Sequence, residues 1–158
     1  MDGYLVVFSI EDQRFALPLA AVDRVIRSVE VTPLPSAPDL VMGVINLHGQ
    51  VVPVINLRKR CHLPDRDVQV GDQFVIAHTP TRTVALVVDR ADVLPCPTEK
   101  IVPADRFMPE LHGAVEVVKQ DDGLILIYQV ESLLTPEEED TLHGAISASQ
   151  APPAGGHA

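Results

Sequence analysis

The sequence contains no tryptophan, and aromatic residues of all kinds make up only 4% of its 158 residues. Branched aliphatic side chains must therefore fill most of the core, and their preference for extended backbone favours β-strands over helices. Hydrophobic residues make up 46% and charged residues 22%, as in folded globular proteins. The length and composition together indicate one domain with a sizeable core.

The sequence also has little that would suggest disulfides, membrane insertion or secretion. Two cysteines, Cys61 and Cys96, are too few for a disulfide framework and are typical of a reducing compartment. No apolar run reaches the roughly 18 residues of a membrane-spanning helix. The chain starts Met1-Asp2-Gly3 and passes directly into a short apolar run, without a basic leader. We therefore expect a cytoplasmic protein that does not insert into a membrane.

Positive charge is scarce, and the formal net charge is −10. Such an acidic surface repels phosphate backbones, so nucleic acid is not expected as a partner. The one basic cluster, Arg58-Lys59-Arg60, follows an apolar run. Three charges in that position indicate the solvated end of a strand rather than a binding patch.

Short apolar runs separated by turn residues account for most of the sequence and predict nine or ten strands. The spacing is compatible with a single barrel, a sandwich or a pair of small barrels. The pattern of residues 22–29 allows a short helix, although its β-branched residues favour a helical turn followed by a strand. Three β-hairpins are predicted from runs that flank short polar turns: 4–10 with 14–18, 73–79 with 83–88, and 111–118 with 124–128.

Further elements are predicted on either side of these hairpins. Residues 40–43 fit one helical turn, and 44–47 with 50–57 fit another hairpin. Pro53 lacks an N–H group and therefore indicates an edge strand or a bulge. One convincing helix starts near Thr135, with Pro136 at its first position and four acidic residues at the positive end of its dipole.

No motif in the sequence points to catalysis. The six histidines form no HxH or HExxH pair, and GxSxG, Walker and GxGxxG motifs are absent. Cys61 and His62 are adjacent, so their side chains would point to opposite faces of a strand. A zinc site built from Cys61, Cys96 and a histidine, in a metal-dependent or ligand-binding barrel enzyme, remains a distant alternative. We predict no catalytic residues, no metal and no cofactor.

The segment GVINLHGQVVPVINLR, residues 43–58, carries the most informative pattern. It resembles the signature of the CheW family, G-V-x-N-L-R-G-x-V-V-P-V-x-D-L-R. The opening YLVVFSIEDQRFALPLAAVDRVI, the central FVIAHTPTRTVALVVDRADVL and the closing LHGAVEVVKQDDGLILIYQVESLL resemble other family segments in order and spacing. The resemblance extends from Tyr4 to about Ile146.

This resemblance implies an all-β fold of two small five-stranded barrels that share a core, with a short C-terminal helix. The CheW-like domain would span residues 1–147, and residues 148–158 would form a disordered tail. The family is a non-catalytic adaptor in chemotaxis-like signal transduction. It couples the cytoplasmic tip of a chemoreceptor, which lies in an apolar groove between the barrels, to the regulatory domain of a CheA-type histidine kinase.

The resemblance also implies a partner-binding site. Ordinary core packing for the valines and turn geometry for the glycines are alternative interpretations of the same positions. The implied site residues are Val22, Arg24, Val25, Gly43, Asn46, His48, Gly49, Val88 and Asp89.

Two of these positions depart from the family pattern. The family commonly has glutamate where this chain has Arg24, and arginine where it has His48. If the two positions face each other, the ion pair they would form in the family is absent here. The departures suggest an alternative function, a diverged module in a kinase pathway controlling pili or biofilm, which binds the kinase but not a usual receptor.

Overall fold

The computed structural model describes residues 3–60, 63–95, 101–103, 114–120 and 123–150. These residues form eleven strands and two α-helices, with single 3-10 turns at Leu19–Ala21 and Val130–Ser132. The elements are β1 (Tyr4–Ile10), β2 (Gln13–Pro18), β3 (Val22–Arg27), β4 (Val41–Leu47), β5 (Gln50–Ile55), α1 (Leu57–Arg60), β6 (Gln73–His78), β7 (Thr83–Val88), β8 (Arg90–Pro95), β9 (Ile101–Pro103), β10 (Ala114–Gln120), β11 (Gly123–Tyr128) and α2 (Pro136–Gln150).

The strands form two sheets, which confirms the prediction of an all-β fold. One sheet has the order β8-β1-β2-β11-β10-β9 and the other β3-β6-β7-β5-β4. The two sheets differ in detail from the expected pair of five-stranded barrels. The first gains a sixth strand because β9 pairs with β10, and over the described residues neither set of ladders closes into a barrel. A three-residue strand that ends at Pro103 is too short to be recognised from its sequence pattern.

The five-stranded sheet curls until the chain beyond one edge strand meets the strand at the other edge. Thr32, five residues after β3, forms an isolated antiparallel bridge with Val44 of β4. Both hydrogen bonds of that bridge are present, at 2.9 Å and 2.8 Å between nitrogen and oxygen. The inside of this curled sheet is packed with buried apolar side chains: Ile45, Val52, Val54, Phe74, Ile76 and Ala85.

Strands of both sheets are buried on both faces, and the two sheets share one core as expected. On β1, Leu5 and Val7 pack inside the six-stranded sheet, whereas Phe8 and Ile10 face the shared core. Double burial explains why YLVVFSI shows no alternation of apolar and polar residues. The shared core draws on nearly every inner strand: Phe8, Ile10, Phe15, Leu17, Ile55, Val75, Ala77, Val84, Leu86, Val88, Val117, Leu126 and Tyr128 are among its members.

Two local predictions around β4 and β5 were wrong. The predicted helical turn at 40–43 is extended from Val41 onwards, because β4 continues through Gly43 to pair with β5. Pro53 lies on an inner strand, since β5 is between β7 and β4. A proline is tolerated there because the parallel ladder to β7 covers only Val54 and Ile55. The bulge lies instead in β4, between Val41 and Gly43.

Helix α2 begins as predicted and has a reciprocal cap. The N–H of Glu138 donates to Oγ1 of Thr135 at 3.1 Å, and the N–H of Thr135 donates to Oε1 of Glu138 at 2.8 Å. This is the capping box, which satisfies two otherwise unpaired backbone donors. The helix continues to Gln150, so residues 148–150, expected in the tail, are helical. The remaining tail, 151–158, lies outside the described residues.

Helix α2 is held by apolar packing and by ion pairs. Leu142 and Ala145 are buried against Leu34, in the segment that leads into β4, and against Val41, the first residue of β4. Near the start of the helix, two consecutive glutamates pair with one arginine of α1 and one arginine between β6 and β7. These pairs are Glu138 with Arg60, and Glu139 with Arg82.

Candidate partner-binding surface

The turn between β4 and β5 fixes His48 at the tip of a tight hairpin. Leu47 pairs with Gln50, so His48 and Gly49 form a two-residue connection. Their φ angles are +52° and +85°, and positive values at both positions define a type I′ turn. The side-chain oxygen of Asn46 accepts the N–H of Gly49 at 2.8 Å and braces the turn.

Arg24 of β3 meets His48 across the open side of the curled sheet. Nη1 of Arg24 is 3.2 Å from Nε2 of His48, although β3 and β4 occupy opposite edges of the sheet. Arginine can only donate a hydrogen bond, so Nε2 of His48 accepts it and the ring carries its proton on Nδ1. The two positions therefore do face each other, through a cation and a neutral ring rather than an ion pair.

On the face opposite to Arg24, strand β3 leaves apolar surface. The side chain of Val25 is 37% exposed, while Val22 is half-buried against the shared core. A bulge between Val22 and Arg24 makes Asp23 the extra residue, and its carboxylate lies 2.7 Å from Nδ1 of His78.

We call the surface made by β3 and the β4–β5 turn the β3–turn surface. It comprises Val22, Arg24, Val25, Asn46, His48 and Gly49.

Gly43 lies on β4, five residues before His48. It is buried, with a φ of +156°, in the bulge of β4. A Cβ at this position would lie 2.2 Å from the carbonyl oxygen of Thr32. Only glycine therefore allows the Thr32–Val44 bridge to form, which supports close backbone approach as the role of Gly43.

Val88 and Asp89 lie away from the β3–turn surface. Val88 is 1% exposed and belongs to the shared core. Oδ1 of Asp89 accepts hydrogen bonds from Nη2 of Arg58 at 3.1 Å and Nη2 of Arg66 at 2.9 Å. Oδ2 accepts the N–H of Glu11 at 2.8 Å. The structure thus gives Val88 a packing role and Asp89 a role in an ion network.

This ion network corrects the interpretation of the basic cluster. Arg58 is 6% exposed and donates to Glu11 at 2.5 Å as well as to Asp89. Arg60 pairs with Glu138, and Lys59 is exposed. The prediction of a solvated strand end was therefore wrong for two of the three residues. The chain turns into the short helix α1 at Leu57, and the preceding apolar run gave no sign of that turn.

Arg66 and Asp72 extend the network into the loop before β6. Two parallel hydrogen bonds, of 3.0 Å and 2.8 Å, join the guanidinium to the carboxylate, and Gln69 N–H adds a third at 2.8 Å. Burial alone would raise the pKa of Asp72, but the hydrogen bonds from Arg66 and Gln69 outweigh it and hold that pKa below its ordinary value. The bond to Asp72 in turn raises the pKa of Arg66. This pair was not predicted from the sequence, in which the alternating charges of Asp65-Arg66-Asp67 were its only signal.

The described residues bring no metal-binding group together. No cluster of three or more His, Cys, Asp or Glu side chains with suitable geometry occurs among them. Cys61, His62 and Cys96 lie outside the described residues, and so does the zinc site considered from the sequence. Within the described part of the chain, neither helix is long and apolar enough to span a bilayer.

Comparison with known proteins decides the family. The sequence model of the CheW-like domain matches residues 4–138, which is most of the chain. The chain belongs to the CheW-like domain family. The family segments noted in the sequence therefore belong to one continuous CheW-like domain.

Individual CheW proteins align over most of their own length. The chain is 26% identical to the chemotaxis protein CheW of Treponema pallidum over 144 residues, covering 85% of this chain and 83% of the relative. It is 30% identical to that of Thermotoga maritima over 131 residues, covering 80% and 84%. The crystal structure of the scaffolding protein TtCheW from Thermoanaerobacter tengcongensis superposes with a TM-score of 0.77 at 27% identity, covering 87% of this chain and 96% of that one.

The CheW-like fold thus places six of the nine predicted site residues on β3 or at the β4–β5 turn and three elsewhere. Its β3–turn surface combines an exposed cation, a braced turn and a partly exposed valine. Gly43 allows the Thr32–Val44 bridge to form, whereas Val88 lies in the core and Asp89 in the ion network.

Proposed function

We propose that this CheW-like chain is a non-catalytic adaptor that joins the cytoplasmic tip of a chemoreceptor to the regulatory domain of a CheA-type histidine kinase. The observation that carries the proposal is the match to a scaffolding protein over 96% of that protein's length. Such coverage leaves almost no part of the scaffold without an equivalent here. A cytoplasmic location follows from the proposed partners.

The chemistry of the described residues supports binding rather than catalysis. Arg58, Arg66, Asp72 and Asp89 are tied into one network of ion pairs, in which charges hold parts of the fold together. The β3–turn surface exposes the oriented donors of Arg24, and the other face of β3 exposes apolar surface at Val25. Oriented donors and exposed apolar surface are both features that a protein partner recognises.

A second candidate function is a diverged module that binds kinase but not a usual receptor, in a pathway controlling an output such as pili or biofilm. The Arg24–His48 contact favours it, because the common family pattern would place an acidic and a basic side chain at these facing positions. A receptor adapted to that ion pair would meet a different charge arrangement here.

A binding titration tests both candidates. The purified chain would be titrated separately with the regulatory domain of a CheA-type kinase and with a receptor-tip hairpin, both from the same cell. Binding of both supports the adaptor. Binding of kinase alone, with hairpin binding restored by Arg24→Glu and His48→Arg together, selects the diverged module. Binding of neither rejects both proposals.

A further inference from the structure

Arg24 carries a positive charge that no described carboxylate neutralises. Its contact is with Nε2 of His48, which must be unprotonated to accept the hydrogen bond. None of the ion pairs among the described residues includes Arg24. Arg58 and Arg66, in contrast, each contact two carboxylates.

The guanidinium of Arg24 is positioned before any partner arrives. His48 holds one of its nitrogens from a turn with a fixed left-handed backbone, and no described group accepts from its other donors. A guanidinium presents these donors as a planar fork that matches the two oxygens of a carboxylate.

The carboxylate that precedes Arg24 in the sequence does not pair with it. Asp23 directs its carboxylate to Nδ1 of His78, at 2.7 Å. Arg27 is exposed on the same strand but lies outside the β3–turn surface. Arg24 therefore gives the β3–turn surface a positive charge in a chain whose formal net charge is −10.

We infer that the receptor-tip hairpin docks on the β3–turn surface and presents an aspartate or glutamate carboxylate to Arg24. The inference rests on the proposed function, which supplies a partner for this surface. Because the chain as a whole is acidic, long-range attraction does not bring such a segment here, and the contact determines register and specificity instead. A glutamate at position 24 would repel the same carboxylate.

A double-mutant cycle tests the inference. The full chain would be titrated with the receptor-tip hairpin and with hairpins in which each Asp or Glu is replaced in turn by its amide. We expect Arg24→Gln to weaken binding about tenfold and Arg24→Glu about a hundredfold, since repulsion is added to the lost contact. One amide hairpin should bind the natural chain about tenfold more weakly and show no further loss with Arg24→Gln. The control Arg27→Gln removes the same charge from the same strand and should change binding less than about twofold.

The outcomes separate this inference from the proposed function. If the hairpin binds but no acidic residue couples to Arg24, or if Arg24→Glu binds as tightly as the natural chain, the carboxylate contact is refuted and docking stands. If neither the natural chain nor any variant binds the hairpin, while the kinase domain is bound, the receptor part of the proposed function fails and the inference fails with it.

Discussion

Two regions of this molecule depend on arginine in opposite ways. In the ion network, Arg58 is buried and contacts the carboxylates of Glu11 and Asp89. On the β3–turn surface, Arg24 is exposed, and the neutral ring of His48 is its one hydrogen-bond partner among the described residues. The first arrangement compensates charge inside the fold, whereas the second leaves charge at the surface.

The two regions also differ in whether side chains or backbone maintain their shape. The ion network joins segments far apart in sequence mainly through side-chain charges, as between Arg58 and Asp89, which are 31 residues apart. The β3–turn surface is shaped by its backbone, through the bulge at Gly43 and the turn at His48 and Gly49. Stability should therefore respond to charge in the network and to backbone geometry under the surface.

Gly43→Ala tests the backbone side of the comparison and should have the largest effect. The added Cβ would lie 2.2 Å from the backbone oxygen of Thr32, so the Thr32–Val44 bridge must open or shift. Overpacking and strain together should lower the free energy of unfolding by about 4 kcal/mol, measured by urea denaturation. Gly71→Ala is the control, because nothing lies within 4 Å of its Cβ position. Equal effects of the two substitutions would show that the bulge does not need glycine.

Arg58→Ala tests the charge side. It leaves the carboxylates of Glu11 and Asp89 without their shared cation. Breaking a buried pair typically lowers stability by about 3–5 kcal/mol, and we expect about 3 because both carboxylates are partly exposed. Lys59→Ala, the next residue and exposed, should change stability by less than about 0.5 kcal/mol. A small effect of Arg58→Ala in the same urea titration would remove the distinction between the two regions.

Asp72→Asn tests whether the network depends on ionisation. The substitution keeps the shape of the side chain but removes the charge that Arg66 contacts through two hydrogen bonds. We expect a loss of about 2 kcal/mol at pH 7. Because the pKa of Asp72 is lower in the folded than in the unfolded state, its contribution is complete above the unfolded pKa and is lost as pH falls through the folded pKa.

The gap in stability between the natural chain and Asp72→Asn should therefore be constant from pH 7 to about pH 5 and shrink below about pH 4. Thermal unfolding at a series of pH values measures this gap. Asp67→Asn is the matched control, since Asp67 is an exposed aspartate next to Arg66 whose carboxylate forms no ion pair with a described residue. A gap for Asp72→Asn that is independent of pH would mean that packing, and not charge, stabilises this loop.

The sequence predicted the hairpins well, because each is an apolar run that ends at turn residues. β1 with β2 and β6 with β7 occur where they were expected. It did not predict β8 and β9 as strands, because prolines interrupt both runs and most of β8 is exposed. The helical turn predicted before Gly43 failed because pairing with β5 overrode local pattern.

The candidate site was predicted only in part, for reasons of distance along the chain. Arg24 and His48 are 24 residues apart, and their contact appears only when the sheet curls. Arg66 and Asp72 lie in a loop whose composition indicated no structure. Asp89, which pairs with Arg66, follows β6 and β7 in the sequence. Ion pairs between segments that are distant in sequence have no periodic pattern to reveal them.

Arg24→Gln is the smallest expected change in stability and the sharpest test of the comparison. The side chain is exposed and its one described partner is a neutral ring, so the free energy of unfolding should change by less than about 0.5 kcal/mol. Urea denaturation should then show that Arg58→Ala lowers the free energy of unfolding by about 2.5 kcal/mol or more beyond the change caused by Arg24→Gln, although both substitutions remove one positive charge. If Arg24→Gln destabilised the chain as much as Arg58→Ala, the Arg24–His48 contact would be a structural link between the sheet edges, and its charge would not be available to a partner.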